Sequence, residues 1–222
     1  MTTKLLIQAI IKLLLGIILV GLLIFLPAGV FFASGLLFMG LLFVPMFFTG
    51  IILMFKNPDL LKARLNSKEE QQQQKKIVKL TGLMFASGFI VAGLTVRFNW
   101  YILPESVTCV ASVIFIAGYI IYAEVLRENK YLNRTICVCE EQKLINTGLY
   151  SIVRHPMYSA TVFMFLSMPL ILGSIYAFLI FLVYPFIVAK RIKSEEEFLE
   201  RELNGYSEYK TKVKYRLIPF VW

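Results

Sequence analysis

Residues 157–190 read MYSATVFMFLSMPLILGSIYAFLIFLVYPFIVAK. The run stays apolar for more than 30 residues, whereas one untilted helix crosses the hydrocarbon core in about 20. Pro169 and Gly173 stand near its middle, where a ring without an N–H and a residue without a Cβ interrupt a helix. The run therefore reads as a tight helical hairpin with arms at 157–172 and 174–190. Its first arm is short, roughly 24 Å at 1.5 Å per residue. The second arm is expected to continue past the membrane as a polar helix to about residue 203.

Working upstream, four more apolar blocks are each long enough to span a bilayer: 5–26, 30–55, 77–96 and 106–126. None alternates with the period of two that a membrane barrel requires. The chain is 58% hydrophobic with mean hydropathy +0.72, where soluble domains are about half apolar. The expected fold class is all-α: a polytopic integral membrane protein of about six helical spans. Residues 1–222 read as one membrane domain, with four transmembrane helices in 1–127 and a loop, the hairpin and a C-terminal region in 128–222. The first block has the length of a span and no small-x-small cleavage site at its end, so it is expected to remain as a helix.

Charge orients the spans. Lysine and arginine collect in 56–76, 127–156 and 189–216, and Lys4 precedes the first span. The links 27–29 and 169–173 carry no charge, and 97–105 carries only Arg97 and Glu105. By the positive-inside rule both termini are expected in the cytoplasm. Trp100 and Tyr101 suit a headgroup belt. The net charge of +9 follows from this topology; no basic face stands clear of the membrane, so no nucleic-acid partner is expected. The segment with Lys62, Arg64, Lys68, Glu69, Glu70 and the glutamine run 71–74 reads as a solvated or interfacial helix. Cys109 reads as packing in an apolar helix. Cys137 and Cys139 offer two ligands where a closed zinc site takes about four, so no metal is expected.

Three polar elements meet at the cytoplasmic edge. The loop 142–150 ends in Thr147-Gly148, and a glycine lets a ligand approach the backbone closely. Next comes Gly148-Leu149-Tyr150-Ser151-Ile152-Val153-Arg154-His155-Pro156-Met157-Tyr158, which holds the chain's single histidine. An arginine and a histidine are costly at a membrane edge unless they bind something. Pro156 suits the first turn of a helix, so Arg154 and His155 would sit beside free backbone N–H groups that receive a carboxylate or phosphate. The third element is Arg191-Ile192-Lys193-Ser194-Glu195-Glu196-Glu197. On a helix Arg191 and Glu195 share a face, while Glu195 and Glu196 point about 100° apart, one toward a ligand and the other toward a support. Taken singly, each element also reads as interfacial anchoring, with Tyr150, Tyr158, Tyr206 and Tyr209 as belt aromatics and the glutamates on a solvated helix.

The combination says more. The run 148–158, an apolar hairpin, Arg191-Ile192-x-x-Glu195-Glu196-x-x-Leu199, Gly205-Tyr206-x-x-Tyr209 and Val213-Lys214-Tyr215-Arg216-Leu217-Ile218-Pro219 together resemble the isoprenylcysteine carboxyl methyltransferase family. The resemblance covers about residues 142–222, and the Arg-His-Pro-x-Tyr and Glu-Glu motifs are shared with phospholipid methyltransferases and sterol reductases. It implies an integral membrane methyltransferase that uses S-adenosyl-L-methionine, with its active site on the cytoplasmic face. By this resemblance the backbone of Thr147, Gly148, Leu149 and Tyr150, with Arg154, His155 and Tyr158, holds the cofactor. Glu196, or alternatively Glu195, pairs with its ammonium or ribose. Arg191 and Glu195 are the implied catalytic pair, with Arg191 toward the methyl acceptor; an amine acceptor would need a proton removed, for which Glu195 or His155 is available. The implied partners are membrane lipid and a lipophilic acceptor (an isoprenylcysteine-like carboxylate or another group) that arrives from the bilayer beside span four and the hairpin.

Ala160 stands where family members often carry glycine, and Leu203-Asn204-Gly205 replaces a Phe-Gly pair. Three consecutive glutamates leave the register of the functional pair open. Two other readings stay open. One is a membrane sterol or enone reductase using NADPH, whose motif continues with glycine and an acid where Ala160 and Thr161 stand. The other is a non-catalytic scaffold or transporter, which would be expected to place polar sites at the midplane of its spans.

Overall fold

A computed structural model describes residues 2–65, 72–132 and 143–222. Cys137 and Cys139, with Lys68, Glu69, Glu70 and Gln71, lie outside the described residues. The chain is all-helical: α1 (Thr2–Ala28), α2 (Ala33–Lys56), α3 (Pro58–Leu65), α4 (Gln72–Arg97), α5 (Glu105–Glu128), α6 (Pro156–Ile171), α7 (Ile175–Phe181), α8 (Tyr184–Glu202) and α9 (Tyr206–Lys212). Among the described residues five stretches are long and apolar enough to cross a membrane: Thr3–Ala28, Ala33–Lys56, Lys75–Arg97, Glu105–Glu128 and Ile175–Glu202. The sixth expected span, α6, is apolar but only 16 residues long.

The hairpin forms with its turn at Gly173, whose φ of +76° suits a residue without a Cβ. Pro169 does not break the first arm; it is accommodated in the last turn of α6. The second arm carries a break that the hydrophobic pattern does not announce. The helix stops after Phe181 and restarts at Tyr184, with Pro185 in the first turn of α8, where a missing N–H costs nothing. Helix α8 then runs to Glu202, as far as the polar extension was expected to reach.

The links with little or no charge share one end of the bundle. Leu103 N–H donates to Gly173 O (2.9 Å), and the buried hydroxyls of Thr95 and Ser174 lie 2.7 Å apart. The charged segments share the other end. There the Lys12 ammonium donates to Leu65 O, Arg64 donates to the Tyr122 hydroxyl, and Glu128 accepts Leu149 N–H. Between the ends lies a core of aromatic rings in which Phe85 meets Phe165 and Phe181 edge-on, with centroids 4.8 and 5.4 Å apart. Leu15, Leu19 and Leu22 of α1 stay more than half exposed, as a lipid-facing stripe would.

Small residues set how closely the helices cross, as is common where lipid gives no hydrophobic drive to association. Gly118 brings α5 against α6: a Cβ there would lie 2.8 Å from Met164 Cγ and 3.2 Å from Ala160 O. Ala160 is itself fully buried. This tight crossing closes the α5–α6 seam. At Gly93 a Cβ would lie 2.3 Å from the Ile24 carbonyl oxygen of α1, and backbone cannot swing aside as a side chain can. Gly93→Ala is therefore expected to push α1 off α4 and cost about 1–3 kcal/mol, read as a lower melting temperature of the detergent-purified protein. An unchanged melting temperature would show that the crossing has slack.

Candidate active site

The entrance to α6 is built by pairing with the C-terminal tail. Arg154 N–H donates to Tyr215 O (2.9 Å), His155 N–H to Arg216 O (3.0 Å), and Ser159 Oγ to Leu217 O (2.6 Å). The backbone N–H groups of Arg154 and His155 themselves are thus taken up by the tail. Pro156 does open α6, with His155 in the cap position.

This pairing folds two arginines onto one carboxylate. Glu196 Oε1 accepts from Arg154 Nε (2.7 Å) and lies 3.3 Å from His155 Nε2, while Oε2 accepts from Arg216 Nε (2.9 Å). Arg154 Nη1 also donates to the carbonyls of Val213 and Lys214, at 2.7 and 2.8 Å. Glu196, His155 and Arg154 are only 2, 5 and 6% exposed. A carboxylate at that depth is tolerable only because its charge and lone pairs are matched.

One residue earlier on α8, Glu195 faces elsewhere. Tyr158 Oη donates to Glu195 Oε2 (2.6 Å) and accepts from Arg191 Nε (2.8 Å). The i,i+4 pair of α8 thus closes on one buried phenol from α6. Glu197 is exposed. The inward pair in the run of three is accordingly Glu195 and Glu196, each with a separate set of partners.

The loop carrying Thr147, Gly148, Leu149 and Tyr150 packs on the end of α5. Gly148 and Leu149 begin a 3-10 turn (Gly148–Ser151), and Leu149 N–H donates to the Glu128 carboxylate at 3.0 and 3.2 Å. Gly148 has φ +57°, and a Cβ there would lie 1.8 Å from Glu128 Oε1, so a side chain would be strained and would displace the Glu128 carboxylate. Thr147 is exposed, and its carbonyl accepts Tyr150 N–H. The Tyr150 hydroxyl accepts from Asn129 Nδ2 (2.8 Å), and its carbonyl accepts from the Tyr209 hydroxyl (2.6 Å). Burial holds the Tyr150 phenol up at about 12, against the pull of the Asn129 hydrogen bond. Tyr206 is buried, and among the described residues its hydroxyl has no hydrogen-bond partner. Burial, then the charges of Glu196 and Glu195, raise it far above the ordinary range, so it remains a neutral phenol.

All ten residues singled out from the sequence thus lie at one end of the bundle, in two hydrogen-bonded sets and one loop. Glu128, Asn129 and Arg216 were not singled out. Arg216 stands in the quoted closing run, but nothing in a Tyr-Arg-Leu-Ile tail says which carboxylate it will meet. Glu128 and Asn129 look like an ordinary polar end to a membrane helix.

With this geometry in place, comparison with known proteins adds two findings. The family model described as phospholipid methyltransferase matches residues 106–204, from the start of α5 to just beyond α8. Among solved structures, a eukaryotic intramembrane Ras methyltransferase, ICMT (isoprenylcysteine carboxyl methyltransferase), shares the fold with a TM-score of 0.55 at 18% identity. The match covers 91% of this chain and 74% of that one. No curated protein matches the chain.

Proposed function

We propose that this chain is a membrane methyltransferase that methylates a lipophilic acceptor with S-adenosyl-L-methionine as donor, a reading supported by the match of residues 106–204 to the family model described as phospholipid methyltransferase. The observation that carries this reading is the meeting of His155 and Tyr158 with Arg191, Glu195 and Glu196 at the charged end of the bundle. S-adenosylmethionine presents an ammonium, a carboxylate and ribose hydroxyls. The buried hydroxyl of Tyr206, unpartnered among the described residues, is a group of the kind such a ligand satisfies. Glu195 has one hydrogen bond among the described residues, so lone pairs remain for an ammonium. The residues present fit the group.

When bound, the cofactor supplies a methyl group already activated by its sulfonium, so what is asked of the protein is alignment and exclusion of water. Glu195 takes the ammonium, because the Glu196 oxygens are already committed to Arg154, His155 and Arg216. Glu196 and Arg154 then act as positioning residues that fix His155. The backbone of Thr147, Gly148, Leu149 and Tyr150 forms the opposite wall, set by Glu128 and Asn129. Tyr158 orients Arg191 toward the acceptor. A carboxylate acceptor needs no base, while an amine would have to lose a proton. The lysine- and arginine-rich end, with the site and both termini, faces the cytoplasm.

Calorimetry on the purified protein tests this reading. S-adenosylhomocysteine is expected to bind and NADPH not to bind; the reverse result would overturn the methyltransferase in favour of a reductase.

A further inference from the structure

Arg64, in the last turn of α3, is a cation that the proposed methyl transfer leaves unused. It lies outside the segment matched by the family model, yet the fold brings it to the site. Helix α3 is anchored by the buried Leu60 and Leu61, capped at its start by the Asn57 side chain (3.1 Å to Leu60 N) and at its end by the Lys12 ammonium on Leu65 O. That anchoring places the half-buried Arg64 guanidinium 5.4 Å from the centre of the Tyr122 ring on α5. One Nη donates to the Tyr122 hydroxyl and the other reaches Leu132 O at 3.4 Å.

Both partners are neutral oxygens. Among the described residues no carboxylate pairs with Arg64, unlike Arg154 and Arg216, which share Glu196. A guanidinium has five N–H donors in a planar fork shaped for carboxylate or phosphate, and placing one at a membrane edge without a counter-ion is costly. Polar groups flank it on two sides. Tyr119, one turn before Tyr122, meets Thr49 of α2 at 2.9 Å, so hydroxyls continue from Arg64 into the α2–α5 interface. On the other side lies the site loop: the charges of Glu195, Glu128 and Arg64 all act on Tyr150.

We propose that Arg64, oriented by Tyr122, binds an anionic group of the methyl acceptor other than the atom that is methylated. The acceptor is then an amphiphile with a phosphate or carboxylate on its head. This rests on the methyltransferase reading. It divides the work: Arg191, held on Tyr158, addresses the reacting group, and Arg64 selects the head by charge.

The test uses the full chain in maltoside micelles, which hold no phosphate, with binding followed by thermophoresis. Hexadecyl phosphate and palmitate are expected to bind roughly tenfold more tightly than hexadecanol, the scale of one charge-assisted pair. Arg64→Gln should abolish that preference and Arg64→Lys keep most of it, while both variants bind S-adenosylhomocysteine as the parent does, which shows that they fold. Inorganic phosphate should not compete with hexadecyl phosphate. Equal binding of the three probes, a preference that survives Arg64→Gln, or effective competition by inorganic phosphate would each overturn the proposal. A chain that shows the Arg64-dependent preference but does not bind S-adenosylhomocysteine would instead overturn the methyltransferase reading and leave the anion subsite standing.

Discussion

Glu196→Ala is expected to lower the melting temperature of the detergent-purified protein by roughly 10 °C, matching a loss of about 3–5 kcal/mol. The cost comes less from the lost carboxylate than from what stays behind. Arg154 is 6% exposed and Arg216 is held on the same group, so the substitution leaves buried positive charge without a counter-charge. The tail that carries Arg216 also closes the entrance to α6, through Tyr215 and Arg216 carbonyls on the Arg154 and His155 N–H groups. Loosening one should loosen the other, and cofactor binding should weaken as a consequence. Glu196→Gln keeps the shape without the charge and should fall between. Glu197→Ala, at an exposed position, is the control. Equal melting of the Glu196 and Glu197 variants would mean that the cluster is not a stabilising centre.

Arg191→Ala is expected to reduce methyl transfer roughly 100-fold, the scale of removing one preorganised charge from a reaction site, while S-adenosylhomocysteine affinity changes little. Arg191 Nε is oriented by Tyr158 Oη, which in turn donates to Glu195. Tyr158→Phe should therefore lower turnover less than Arg191→Ala but weaken cofactor affinity more, because it frees Glu195 as well. Transfer of a tritiated methyl group to a prenylated cysteine with a free carboxylate, and to a membrane lipid extract, reads out turnover on both acceptor types. If Arg191→Ala abolished S-adenosylhomocysteine binding while acceptor binding persisted, Arg191 would belong to the cofactor and not to the acceptor.

The membrane architecture is legible because it rests on local quantities. The length of an apolar run and the placement of charge between runs are properties of consecutive residues, and they anticipate the spans, the hairpin and the gathering of charged links at one end. Gly173 is legible for the same reason, since a reversal within the three residues between α6 and α7 needs a backbone that tolerates positive φ. The break before Tyr184 is less so. Leu182 and Val183 look like any other apolar pair, and only Pro185 marks the restart of the helix. The α5–α6 seam is also not legible as closed: Gly118 alone does not say that Met164 and Ala160 will lie against it.

At the site, the sequence by itself determined which residue types gather and on which helix they sit: Arg154, His155 and Tyr158 at the head of α6, and Arg191, Glu195 and Glu196 one to two turns apart on α8. It could not determine how the work divides between the two glutamates. Adjacent positions on a helix point about 100° apart, and that angle acquires meaning only from what packs on each side. The tertiary structure decided it by bringing Arg216 from the tail to Glu196 and Tyr158 from the hairpin to Glu195. It likewise decided that Glu128, more than 20 residues away in the chain, sets the Gly148 loop, and that Arg64 reaches the same end of the bundle. Such contacts depend on helix crossings between distant segments, and no local pattern encodes them.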